Sequence, residues 1–123
     1  MFTILLDTEF KAPHQLTFAD GTQEPLHEHD WKVCVSASAP KLTEDEMVMD
    51  FEELKLILES ILQDFRGQRL ETIGHFEHRN TSAENLARIL YELVAPKLPD
   101  TVHLDYVEVT EAPHCRARYA QPR

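Results

Sequence analysis

Basic residues are scarce in this chain: lysine and arginine number 12 against 22 aspartates and glutamates, for a formal charge of −10. A phosphate backbone is held by cationic side chains that displace its counterions, so nucleic acid is not the partner this composition serves. An anionic membrane is excluded on the same ground. Long apolar runs are also missing, and no stretch approaches the roughly 18 residues of a membrane span. The opening MFTILLDTEF has no basic region and meets Asp7 too early for a secretory leader. Only two cysteines occur, Cys34 and Cys115, and they form no C-x-x-C motif. Both read as free thiols in a reducing compartment, which makes a cytoplasmic protein the expectation. Internal repeats, low-complexity segments and linkers are absent too, so the 123 residues (1–123) are expected to form one domain.

What is present is alternation. In residues 2–10, Phe2, Ile4, Leu6 and Phe10 alternate with Thr3, Asp7 and Glu9, the pattern of a strand with one buried face. TFADGTQEP (17–25) carries a D-G turn signal and a proline, and should join two antiparallel strands. Trp31, Val33 and Val35 then alternate with Lys32, Cys34 and Ser36. A helical stripe follows: Phe51, Leu54, Leu58, Ile61 and Phe65, widened by Ile57 and Leu62, with Asp50 as its N-cap. Residues 66–80 show no period and read as loop. Thr81-Ser82-Ala83-Glu84 has the form of a capping box that opens a second helix, whose stripe is Leu86, Ile89, Leu90, Leu93 and Val94. Strands over about 102–111 and 114–119, parted by Ala112 and Pro113, complete a β-β-α-α-β-β order. This predicts an α+β domain: a four-stranded antiparallel sheet with two helices on one face, and sheet edges that must be paired or covered.

Within PLHEHDWKVCVSA (25–37), His27 and His29 share parity with Trp31 and so point to the apolar face. Residues two apart on a strand lie about 6.6 Å from each other, near enough for two imidazoles to meet one ion. His14, in FKAPHQL, is the candidate third ligand, from a paired strand. Three histidines with an open fourth position describe a catalytic zinc, whereas an H-x-H pair alone equally describes polar strand residues facing solvent.

Five segments together resemble the 6-pyruvoyltetrahydropterin synthase and 6-carboxytetrahydropterin synthase family. FKAPH (10–14) resembles F-x-A-x-H, and HEHDW (27–31) resembles H-G-H-N-[YFW]. MVMDFEELK (47–55), TSAENLA (81–87) and VEVTE (107–111) resemble three further family motifs, in family order. The resemblance implies a tunnel fold in which three subunits join their sheets into a twelve-stranded barrel, as trimer or hexamer. It implies Zn²⁺ on His14, His27 and His29, a pterin substrate anchored by Glu111, and a further match at Glu84, whose simpler role is the third helical position of the capping box.

Departures accompany the matches. The family's general-base cysteine is replaced by Gln23, and its aspartate-histidine relay positions align with Arg66 and Gly67, or with Asp64 in another register. His75 and His78 lie in the loop beyond. Glu24 gives E-x-x-H-x-H, which resembles the type III variants in which glutamate replaces the cysteine. Glu28 and Asp30, in place of glycine and asparagine, add negative charge beside the histidines. The function implied is a zinc-dependent lyase acting on a 7,8-dihydroneopterin derivative, with Glu24 as catalytic acid/base. The alternative is a catalytically diverged protein that binds zinc and pterin without turnover.

Overall fold

In the computed structural model, which describes residues 1–122, strand β1 (Phe2–His14) runs antiparallel to β2 (His27–Ala39) over its whole length, from Phe2↔Ala39 to His14↔His27. The apolar alternation dictates this register, because a slip of one residue would turn Phe10, Trp31, Val33 and Val35 out of the core. Strand β1 is four residues longer than expected. Ala12 and His14 continue its buried face, and Pro13, which lacks an N–H, is tolerated on a strand with one free edge.

Strands β3 (His103–Ala112) and β4 (Cys115–Tyr119) extend the sheet in the order β1-β2-β3-β4. Their turn is Pro113-His114, one residue later than Ala112-Pro113, with His114 at φ 70°. The register shifts once between Ser36 and Ala37 and again between Thr110 and Ala112, which leaves Glu111 as the residue out of step.

Helices α1 (Phe51–Leu62) and α2 (Ala83–Val94) cover the apolar face. Phe10, Trp31, Leu54, Leu58, Leu62, Leu86 and Leu90 are essentially inaccessible between sheet and helices. The Trp31 indole N–H donates to the Ala12 carbonyl at 3.0 Å, and the Tyr91 hydroxyl donates to the Leu104 carbonyl at 2.9 Å, so both large polar-tipped side chains are satisfied inside. No described helix is long and apolar enough to cross a membrane.

Four expectations need correction. Helix α1 ends at Leu62, and Phe65 reaches the core from the following turn. Phe51, in the first turn of α1, is half exposed. The 66–80 segment contains two short 3-10 helices, Leu70–Thr72 and Gly74–Phe76, which bury Leu70 and Phe76. The cap of α2 also moves by one residue. Ser82 is the N-cap and its side chain accepts the Asn85 N–H, while Thr81 is buried and Glu84, in the first turn, is exposed without a cap bond.

Asp50 caps α1 as expected, accepting the Glu52 N–H at 2.8 Å. Ser82→Ala should therefore cost about 1 kcal/mol in urea titration, and Glu84→Gln less than about 0.5 kcal/mol. The reverse order would return the cap to Thr81.

Candidate active site

The β1–β2 register sets His14 directly across from His27, and Ala12 across from His29. All three imidazoles lie on the apolar face, with Trp31 beneath: its ring centroid is 4.9 Å from that of His14 and 5.3 Å from that of His29. His14 is fully buried, and His27 and His29 are partly exposed at the mouth.

The backbone orients two of the rings. His14 Nδ1 is 2.7 Å from the Thr81 carbonyl, and His27 Nδ1 is 2.8 Å from the Pro25 carbonyl. A carbonyl can only accept, so Nδ1 carries the proton in each ring. Both Nε2 lone pairs then face the centre of the group, the arrangement in which backbone carbonyls fix histidine ligands for a metal. His14 Nε2 and His27 Nε2 are 3.0 Å apart. His29 Nε2 is buried and makes no hydrogen bond among the described residues, which calls for a partner at that point. Burial lowers the His29 pKa, and its neighbours His27 and His14 add to this, against the pull of Glu111. Burial thus disfavours the charged form of this ring.

Two carboxylates complete the group. Glu111 Oε1 lies 3.1 Å from His14 Nε2 and 3.4 Å from His29 Nε2. The ligand atoms of His14, His27, His29 and Glu111 all fall within 4.8 Å of one another and can hold a metal ion. Glu24 stands further off, with Oε1 3.8 Å from His14 Nε2 and 3.7 Å from His27 Nε2. Its backbone N–H donates to the Leu16 carbonyl at 3.1 Å, and its Oε1 accepts the Leu16 N–H at 3.1 Å, so the glutamate is tied to the end of β1. The loop that carries it is anchored to the start of α2. Asn80 accepts the Thr17 N–H through Oδ1 at 3.1 Å and donates to the Thr17 carbonyl through Nδ2 at 2.8 Å. Neither the Thr81 carbonyl nor the Asn80 clamp had a signal in the sequence, since any residue supplies a carbonyl and only the fold brings these backbones together.

The remaining candidates lie elsewhere. Glu84 makes no hydrogen bond or ion pair to the cluster among the described residues. Arg66 pairs with the Glu59 carboxylate and donates to the Glu9 carbonyl at 2.9 Å, and the Gly67 N–H donates to the Lys11 carbonyl at 2.8 Å. These residues fasten the end of α1 to β1. Asp64 is exposed. His75 stacks on Phe65, and His78 is exposed beside Glu77. Both line a shallow depression with Glu92 and Leu93, away from the three imidazoles.

A model of the family described as 6-pyruvoyl tetrahydropterin synthase matches residues 3–122. The 6-carboxy-5,6,7,8-tetrahydropterin synthase of Synechocystis is 30% identical over 127 residues, covering all of this chain and 96% of the relative. Among solved structures, the 6-pyruvoyl tetrahydropterin synthase of Caenorhabditis elegans superposes with a TM-score of 0.86 at 18% identity, over 98% of this chain and 96% of that one. A Plasmodium vivax 6-pyruvoyltetrahydropterin synthase variant, in which a catalytic glutamate is replaced by alanine, superposes with a TM-score of 0.73 at 17% identity, over 98% and 97% of the two chains.

Cys34 stands apart from the imidazole cluster. It projects from the helix-free face, paired with Asp7 and lining a cavity with Glu9, Lys32, Glu108 and Arg116. Burial, reinforced by Asp7 and Glu108, pushes its pKa up to about 11. Only the thiolate attacks a disulfide reagent, and at pH 8 a group of this pKa is thiolate roughly one part in a thousand. In a Cys115→Ser chain the remaining thiol should react slowly with an aromatic disulfide at pH 8 and steadily faster as the pH rises toward 11. Fast reaction at pH 8 would contradict this placement.

Proposed function

Because the chain belongs to the 6-pyruvoyl tetrahydropterin synthase family, we propose that it is a zinc-dependent lyase acting on a 7,8-dihydroneopterin derivative, with Glu24 as general acid/base. The observation that carries the proposal is the convergence of three imidazole nitrogens with a tethered carboxylate 3.7–3.8 Å from two of them. Imidazole and carboxylate donors suit Zn²⁺, which would be held by His14, His27 and His29. Bound there, zinc supplies a Lewis acid that acidifies a coordinated hydroxyl.

The chain's own residues do the rest. The Leu16 N–H engages Oε1 of Glu24 and leaves Oε2 to take a proton from a side-chain hydroxyl of the substrate. As that hydroxyl becomes a carbonyl, the adjacent carbon–carbon bond breaks and its electron pair passes to the carbon attached to the pterin. Glu24 then returns the proton to that carbon, leaving a 6-hydroxymethylpterin and an aldehyde. Pro25 ends the loop and accepts the His27 Nδ1–H, so Glu24 and a metal-facing ring are joined through two intervening residues. A glutamate described as catalytic in an enzyme of the same fold supports this choice. Glu111 is proposed to anchor the pterin, and Glu84 remains a candidate contact on the resemblance alone.

The alternative is binding of zinc and pterin without turnover. It is favoured by the engagement of Arg66 and Gly67 in structural contacts where the relay would stand.

Glu24→Gln should lower turnover of dihydroneopterin by at least about 10²-fold while elemental analysis still finds about one zinc per chain. His14→Ala, by contrast, should lose the metal. Full activity in Glu24→Gln would end the assignment, and pterin binding without turnover in the unaltered protein would favour the alternative.

We propose further that the protein assembles as a trimer or hexamer. Strands β1 and β4 each keep one edge unpaired among the described residues, and the 13-residue β1 edge is long enough to recruit another strand. Light scattering should give a mass that is a multiple of three chains, and a stable monomer at micromolar concentration would contradict the closed barrel.

A further inference from the structure

The segment that carries Glu24 is a small hairpin closed on itself. Thr17 faces Gln23 across an antiparallel bridge. The backbone bonds that close it flank that pair: the Phe18 N–H donates to the Thr22 carbonyl at 2.7 Å, and the Glu24 N–H donates to the Leu16 carbonyl at 3.1 Å. In an antiparallel ladder the residues between such bonds turn their own N–H and carbonyl outward. Thr17 is therefore left with both backbone groups pointing away from the hairpin.

The Asn80 side chain takes both. Its Oδ1 accepts the Thr17 N–H at 3.1 Å, and its Nδ2 donates to the Thr17 carbonyl at 2.8 Å. A side-chain amide suits this task because it offers an acceptor and donors on one planar head. Asn80 is itself fastened to α2: its carbonyl accepts Asn85 Nδ2 at 2.9 Å, and Asn85 Oδ1 accepts an Arg88 N–H at 2.8 Å. Two other side chains tie the hairpin to the helical layer, Arg69 to Gln15 Oε1 at 2.8 Å and the Thr81 hydroxyl to the Gln15 carbonyl at 3.5 Å. Both end at residue 15, at the base, whereas Asn80 holds the hairpin two residues further out. Glu24, on the returning arm, has its Oε1 3.7 and 3.8 Å from the Nε2 atoms of His27 and His14, a placement that follows the tilt of the hairpin.

We infer that Asn80 is a positioning residue: by holding Thr17 it sets the tilt of the hairpin, and with it the distance of the Glu24 carboxylate from the imidazoles. Its catalytic consequence rests on the functional reading above, whereas its hold on the hairpin rests on the hydrogen bonds alone. A residue that acts in this way touches no substrate. Its loss should be felt in turnover and not in substrate affinity.

Amide hydrogen exchange followed by NMR, together with steady-state kinetics on the zinc-loaded protein, separates the two parts. In Asn80→Ala the amides of Thr17 and of Leu16, which is bonded to Glu24 Oε1, should exchange at least about tenfold faster than in the parent. Circular dichroism and zinc content should stay those of the parent. For dihydroneopterin, kcat should fall by about tenfold while KM stays within about twofold. Asn80→Asp keeps the acceptor for the Thr17 N–H but lacks the donor, and should fall between Asn80→Ala and the parent. Added to Glu24→Gln, Asn80→Ala should lower kcat no further, because the group being positioned is already gone.

Unchanged exchange at Thr17 in Asn80→Ala would overturn the hold on the hairpin, whatever the kinetics. Faster exchange with parental kcat would overturn the positioning of Glu24, and so would an equal further loss of kcat in the Glu24→Gln background. A parent that turns over no dihydroneopterin would overturn the functional reading and the catalytic consequence together, with the exchange rates still deciding the hold on the hairpin.

Discussion

The antiparallel pairing of β1 with β2 is the constraint on which the rest of the molecule depends. Its register sets His14 opposite His27 and Phe10 opposite Trp31, so one alternation builds the site at the end of the ladder and the core in its middle. Burying Trp31, Val33 and Val35 under the helices holds that register, because slipping by one residue would expose all of them together with the imidazoles. The site is thereby supported by the free energy of the whole core. Its histidines need no dedicated scaffold.

Helix α2 contributes through its approach more than through its side chains. Ser82 caps the helix, Thr81 just before it offers its carbonyl to His14, and Asn80 holds the loop that carries Glu24. Three consecutive residues at one helix terminus thus secure the helix, the tautomer of a buried imidazole and the placement of a carboxylate. The same helix terminus thus joins the loop of residues 17–24 to the peptide that orients His14.

The two sheet faces divide the chemistry. The helix-covered face is apolar up to its end, where the imidazoles cluster, and carries His29, whose pKa burial lowers. The opposite face holds Asp7, Glu9, Lys32, Cys34, Glu108 and Arg116 around a polar cavity. A thiol placed among carboxylates there is suppressed as a nucleophile. Position 23 is Gln, which donates to the Thr17 hydroxyl at 3.1 Å and braces the loop, and the neighbouring Glu24 is the acidic group turned inward.

Period-two alternation and turn chemistry sufficed to read four strands, two helices and their order, and parity alone assigned His27, His29 and Trp31 to one face. These features were legible because side-chain direction in a strand depends only on the residue's place in the repeat. Local exposure and reach were not. Phe51 fits the apolar stripe of α1, yet it is half exposed, and Ser82 takes the cap although Thr81-Ser82-Ala83-Glu84 permits either start. The sequence by itself determined the sheet, its buried face and the histidine trio. Tertiary structure alone decided that Glu111 turns to the imidazoles while Glu24 is tied to Leu16, because a register shift in β3 and backbone bonds between distant segments leave no periodic trace in the chain.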